Sequence, residues 1–230
     1  VTHPEDVSES NANKLVRWEF SSQHNAHLGK QHGLTPQIVR LNDGKDYVLA
    51  ANGYNSAQGS ASLFILPVRG GIDSWQEGSN YWRIQAAAGS GNGLSDLAPY
   101  DLNADGRIDL VYAGDALGNV WKFDLSATTP AQWAQASPVL LFQARGPAGK
   151  VQPISAAPAL APHPDYPDTR RSAARPGLMV YVGTGRYLDS CDKAGGSCQD
   201  EDGTRSVYGL WDYGGRICQR QELLPQYLTD

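Results

Sequence analysis

Asp101, Asn103, Asp105 and Asp109 lie in one stretch, DLNADGRIDLVYAGDALGNVWKFDLS, residues 101–126. Side-chain oxygens at positions 1, 3 and 5 of a short loop, with Gly106 at position 6 and a carboxylate at position 9, can wrap one hard cation. The backbone carbonyl of Arg107, at position 7, extends the donor set. Calcium suits such a set because it takes about six to eight oxygens and tolerates irregular geometry. Gly106 permits the sharp turn that the loop needs. Position 12 is Tyr112, where an EF-hand would carry a bidentate Glu, so the helix–loop–helix form is excluded and a β-hairpin context is expected. Asn, Asp and Gly also build ordinary turns. Here, however, three carboxylates in nine residues repel one another, with only Arg107 among them to offset the charge. The nearby Asp96 and Asp115 read as turn residues.

Other groups with chemical potential read more plainly. His24, His27 and His32 have irregular spacing and suit a surface loop better than a metal site. Cys191 and Cys198 flank a Gly-rich loop that a disulfide could close. With Cys218 the set is odd, so the pairing stays open. Three cysteines close to that Gly-rich loop, in a chain that also carries a calcium-type loop, point to an oxidising, extracytoplasmic setting, and the absence of CxxC argues against a zinc knuckle. Arg170, Arg171 and Arg175 read as a solvated loop, and Lys122 beside Asp124 as an exposed pair of little energetic weight. There is no nucleophile elbow and no HExxH, so catalytic and cofactor-binding residues are expected to be absent and the chain is not expected to be an enzyme.

The elements that position the loop come from an internal repeat. TPQIV (35–39), LAPY (97–100) and APAL (157–160) each lead through a turn or loop to YVLAANG (47–53), LVYAG (110–114) and MVYVGTG (179–185). Pro36, Pro99 and Pro158 are 63 and 59 residues apart. SLFILPV (62–68), NVWKFDL (119–125) and SVYGLWD (206–212) follow. A further candidate strand precedes each unit: KLVRWEF (14–20), NYWRIQA (80–86) and PVLLFQA (138–144). Val, Ile, Tyr, Phe and Trp between Gly, Asn and Asp turns are β signals. Only TPAQWAQA (129–136) admits a helical turn. Trp18, Trp82, Trp121 and Trp211 fall on these strands as packing residues, and Gly53, Gly114 and Gly183 end equivalent strands under backbone constraint.

Four-stranded units repeated at a fixed period describe propeller blades. The expected fold is all-β: a partial β-propeller of about three four-stranded blades from a larger ring. Residues 1–13 are expected to be a flexible N-terminal segment and 14–230 the propeller fragment. The polar start, VTHPEDVSESNANK, reads as a chain cut from something longer. At 40% apolar residues there is enough for a core, and 25 Gly with 14 Pro fit many short strands. A net charge of −5 argues against a nucleic-acid partner. No run of about 18 apolar residues is present, so no transmembrane segment is expected.

NGYN (52–55), NGLS (92–95), the 101–126 stretch, QPIS (152–155), VYVGTGRYL (180–188) and YGLWD (208–212) are collinear. Together they resemble the C-terminal β-propeller of the PilC/PilY family of type IV pilus biogenesis factors and tip adhesins. The resemblance implies a modified propeller of an exported, extracytoplasmic protein at the bacterial cell surface or pilus tip, associated with the outer membrane and the fimbrium. It implies pilus-tip and minor pilin proteins as partners, a host-cell or surface receptor, and roles in cell adhesion, twitching motility and virulence. It also implies that calcium in a DxNxDGxxD loop favours pilus extension and that its loss permits retraction. On this match Asp101, Asn103, Asp105, the carbonyl of Arg107 and Asp109 are the calcium ligands. Set against the family, this stretch is expected to lack the first blades and the C-terminal end of the propeller domain, together with the variable N-terminal half, and it has no RGD motif. Two other readings are an exported propeller enzyme of the quinoprotein dehydrogenase kind and a calcium-stabilised adhesion propeller of the integrin-α kind. The latter carries a loop on several blades, whereas one of three does so here.

Overall fold

The computed structural model describes residues 16–69, 74–166, 168–186 and 204–217. Three antiparallel sheets follow one another along the chain. The first joins β1 (Gln37–Arg40), β2 (Asp46–Ala51), β3 (Ala61–Pro67) and β4 (Trp82–Ala87) as a meander. The second repeats the plan with β5 (Leu94–Tyr100), β6 (Leu110–Asp115), β7 (Asn119–Asp124) and β8 (Val139–Gln143). The third places β10 (Leu178–Gly183) between β9 (Ala159–Pro162) and β11 (Val207–Asp212). Among the described residues one α-helix, α1 (Pro130–Gln135), starts with Pro in its first turn, as the fixed φ of proline allows. None of the described helices is long and apolar enough to cross a membrane.

The repeat is therefore real, but its phase differs from the sequence reading. Residues 16–20 form no strand. NYWRIQA supplies the closing strand of the first sheet and PVLLFQA that of the second, each pairing with the strand before it. Each sheet thus starts at its proline segment. Pro99 is tolerated inside β5 because β5 is an edge strand, where a missing N–H breaks no ladder.

Packing explains why the two central strands of the middle sheet are buried almost throughout. One core joins Leu49, Leu63, Ile65 and Ile84 of the first sheet to Leu97, Val111, Trp121 and Phe123 of the second, closed by Trp133 of α1. A second core joins Tyr112, Val120 and Phe142 to Val180, Val182, Tyr208 and Leu210 of the third. Every residue of β6 is consequently buried. A third cluster packs Trp18, Phe20 and Trp75 over Phe64, Leu66 and Tyr81 on the outer face of the first sheet. On β11 burial alternates strictly, which leaves Val207 and Trp211 exposed, and Trp211 stacks on His163 with ring centroids 4.3 Å apart. So Trp18 packs without a strand and Trp211 faces outward, while Trp82 and Trp121 pack as expected.

The sheets are also locked at one end. The amide N–H of Leu94 donates to Asn52 Oδ1 at 2.9 Å, and that of Gly53 donates to the Leu94 carbonyl at 3.2 Å. One unit later the Ile154 N–H donates to the Asp115 carbonyl at 3.1 Å. Tyr54 donates to Ser95, and Ser95 to the Ile154 carbonyl, so one chain of contacts touches all three units. A Cβ on Gly114 would lie 2.2 Å from Ile154 Cγ2, and one on Gly53 would lie 2.2 Å from the Lys30 carbonyl. Gly53 also adopts φ +72°, so both positions need glycine. Gly183 meets no described atom within 4 Å and is under no such constraint.

Asp115 is more than a turn residue. It is fully buried, and its oxygens accept five N–H donors: the backbone of Leu117 and Asn119 and the side chains of Asn92, Asn119 and Trp121. All five donors are neutral groups. Lys122 corrects the sequence reading outright. It is buried, and its Nζ pairs with Asp212 Oδ2 of the third sheet at 2.9 Å, not with Asp124. The same Asp212 oxygen accepts from Tyr112 OH at 2.9 Å. The residue that looked like a surface charge is an inter-sheet ion pair.

Breaking one partner of such a pair strands the other charge. Asp212→Ala is expected to cost about 3–5 kcal/mol in urea unfolding, and the double change Lys122→Met with Asp212→Leu much less. Equal losses in the single and double variants would refute that account. Burial raises the phenol pKa values of Tyr47, Tyr54, Tyr81 and Tyr112, and the Asp212 carboxylate raises that of Tyr112 further. These groups hold their protons more tightly when folded. Their contribution is complete below the unfolded value of about 10 and is lost as pH rises beyond it. Melting temperature should therefore fall steeply above about pH 10, with tyrosinate absorbance appearing together with unfolding.

Candidate metal centre

The loop of interest connects β5 to β6, as its hairpin position required. Tyr100 ends one strand and Leu110 begins the next. Within the loop, backbone donors hold each polar side chain. The Asp105 N–H donates to Asn103 Oδ1 at 3.0 Å and to Asp101 Oδ1 at 3.2 Å. Gly106 N–H donates to Asp101 Oδ2 at 2.7 Å, and Arg107 N–H to Asp105 Oδ1 at 2.9 Å. Gly106 adopts φ +84° and Ala104 φ +61°. Two residues in the left-handed region within three positions make the chain curl on itself.

Asp109 differs from the other acids. It is 5% exposed, whereas Asn103 and Asp105 are exposed. Its Oδ2 accepts the Leu102 N–H at 2.9 Å, which ties the exit of the loop to its entrance. Its Oδ1 accepts Nδ2 of Asn42 at 3.0 Å, from the β1–β2 turn of the first sheet. Asn42 was absent from the sequence-derived site. It belongs to the NDGK turn, which occupies the equivalent hairpin of the first unit, and no local signal marks it as a partner 67 residues away.

A cleft of about 750 Å³ opens beside the loop, bordered by Asp101, Asn103, Asp109, Asn42, Thr169 and Arg171. Loop, first-sheet turn and β9–β10 connection therefore meet at one place. Arg171 is not a solvated loop residue alone: its Nη2 donates to the Tyr166 carbonyl at 3.4 Å.

The donor chemistry fits a hard cation. Side chains of Asp101, Asn103, Asp105 and Asp109 offer oxygen only towards such an ion, and a carboxylate oxygen that accepts one N–H keeps a second lone pair. Among the described residues no three His, Cys, Asp or Glu side chains converge as a metal-binding group. The loop's acids are held in its own hydrogen bonds, and an Asn and a backbone carbonyl must complete any set. The histidines do not gather either. His24 Nδ1 accepts the Ser21 N–H at 2.9 Å, and His27 Nδ1 lies 2.6 Å from Ser60 Oγ. Cys191, Cys198 and Cys218 lie outside the described residues.

With the fold and loop in place, the family follows. The family model of the PilY1 beta-propeller domain matches residues 14–219. The chain belongs to the PilY1 β-propeller family. It is 34% identical over 235 residues to a protein of Xylella fastidiosa named type IV pilus biogenesis factor PilY1 homolog, covering 94% of this chain and 14% of that protein. It is 32% identical over 233 residues to the type IV pilus biogenesis factor PilY1 of Pseudomonas aeruginosa, covering 92% of this chain and 18% of that protein. The crystal structure of the Pseudomonas aeruginosa PilY1 C-terminal domain aligns with a TM-score of 0.70 at 30% identity, over 88% of this chain and 43% of that one. The chain thus spans a minor part of its relatives, and the fold is the propeller expected from the repeat.

The loop geometry separates its acids. Asp109→Ala removes the acceptor for Leu102 and Asn42, so it should lower stability by about 1–3 kcal/mol even in chelator. Asp105→Ala, at an exposed position, should stay within about 0.5 kcal/mol under the same conditions. Chemical denaturation of both variants in chelator checks this, and indistinguishable midpoints would contradict it.

Proposed function

We propose that this chain is a calcium-binding propeller segment of a type IV pilus biogenesis factor, acting without catalysis at the pilus and cell surface. The observation that carries the reading is the 101–109 loop, an all-oxygen donor set pre-curled by its own backbone at a junction of three sheets. The relatives' names supply the pilus context. Side-chain oxygens of Asp101, Asn103, Asp105 and Asp109, with the carbonyl of Arg107, would hold the ion. Calcium would supply positive charge that offsets the mutual repulsion of the three acids and fixes the loop.

The consequence is regulation by occupancy. In the full-length protein, a filled loop favours pilus extension and an emptied one permits retraction, which sets twitching motility and surface attachment. Pilus-tip and minor pilin proteins are the expected partners, with a host-cell or surface receptor for adhesion.

Calorimetry on the 230-residue chain should show one calcium site that Asp105→Ala removes. Because only the folded loop gathers the ligands, calcium should raise the melting temperature by mass action, with about 2.7 kcal/mol gained at a concentration of 100 Kd. Melting that is indifferent to calcium and chelator would end the calcium reading. In a piliated host, Asp105→Ala in the full-length protein should alter twitching while the protein still reaches the surface. Normal twitching with a demonstrably empty loop would leave calcium as a structural ion only.

A further inference from the structure

We infer that Asn42, a residue of the first blade, positions Asp109 for the cation and passes the occupancy of the loop to that blade. The inference rests on the calcium reading above.

The NH2 group of the Asn42 side chain faces three acceptors. Its Nδ2 lies 3.0 Å from Asp109 Oδ1, 3.2 Å from the Ile108 carbonyl and 3.2 Å from the Leu125 carbonyl. One NH2 group thus serves the exit of the loop and the end of β7 together. The traffic runs both ways. Ile108 N–H donates to the Arg40 carbonyl at 2.9 Å, and Arg107 Nη1 to the Asn42 carbonyl at 3.4 Å. The last three residues of the loop are therefore bonded to Arg40 and Asn42, at the end of β1 and in the first-sheet turn.

The chemistry of this partner is apt. A Lys or Arg at the same place would neutralise Asp109 and compete with an incoming cation. A neutral amide orients the carboxylate and leaves its charge available. Partners of this kind commonly change metal affinity by roughly 10–100-fold when removed. Since Asp109 Oδ2 is already held by Leu102 N–H at 2.9 Å, Asn42 is what fixes the other oxygen. Reciprocity follows: if the Asn42 contact favours the ion-binding form, the ion favours the Asn42 contact by the same factor. Calcium should then quieten the β1–β2 turn, whose own bonds run from Leu41 N–H to the Lys45 carbonyl and from Gly44 N–H to the Leu41 carbonyl.

The test combines calorimetry with hydrogen exchange on the 230-residue chain, in calcium and in chelator. Calcium should slow exchange at the Leu41 and Gly44 amides of the unsubstituted chain. Asn42→Ala should weaken calcium binding roughly 10–100-fold and abolish that slowing, with unchanged circular dichroism. Lys45→Ala, on the same turn but with an exposed side chain, should change neither. Asn42→Ala added to Asp109→Asn should cost no further affinity, because the two act through one contact. A chain that binds calcium with full affinity as Asn42→Ala overturns this inference and leaves the calcium reading standing. If Asn42→Ala does not fold, exchange in the unsubstituted chain decides: calcium binding with no change at Leu41 and Gly44 also overturns it. An unsubstituted chain that binds no calcium overturns both.

Discussion

Both faces of the β5–β8 sheet must be buried, and most of the structure follows from that. A sheet with no solvent face cannot alternate apolar and polar residues. LVYAGD and NVWKF are accordingly buried along their whole length. Polar groups on those strands then need partners inside the protein, because a buried charge without one is costly. Lys122 meets Asp212 and Asp115 meets five N–H donors for this reason. The third sheet is tied to the middle one by the same Lys122–Asp212 pair that satisfies the buried lysine.

The same constraint shapes the loop. Loops between strands lie at the rim, where water is available, and this one is exposed from Asn103 to Gly106. Its last acid is different because β6 begins one residue later and draws Asp109 into the core. An acid placed there has to be hydrogen-bonded whether or not an ion is bound. Asp109 is thus a joint of the fold, while Asp101, Asn103 and Asp105 are held mainly by the turn they make. The partner that holds this acid comes from another blade.

The blade-to-blade locks give the family motifs a physical meaning. NGYN and NGLS meet because Leu94 bonds to both Asn52 and Gly53, and because a Cβ on Gly93 would sit 2.1 Å from the Gly53 carbonyl. QPIS repeats the lock one unit on, through Ile154 and Asp115. These short segments carry backbone-to-backbone proximity, which tolerates little variation in side-chain size.

Much of the fold was legible in the sequence. The repeat, the β character, the hairpin position of the acidic loop and its turn at Gly106 all depend on local patterns, and local sterics decide them. Blade phase was misread because NYWRIQA is an equally good strand at the end of one unit or the start of the next; pairing with β3 decides which. Burial on VYGLWD alternates although its composition does not, since only one face of that strand meets the second sheet. Lys122 read as exposed because its partner lies 90 residues away. Asn42 was unreadable for the same reason. Residue types and their spacing along the chain are enough to mark which groups could take a cation and that a hairpin would present them. The tertiary structure alone decided which neighbour holds Asp109, because a hydrogen bond between blades depends on how the sheets pack and not on spacing along the chain.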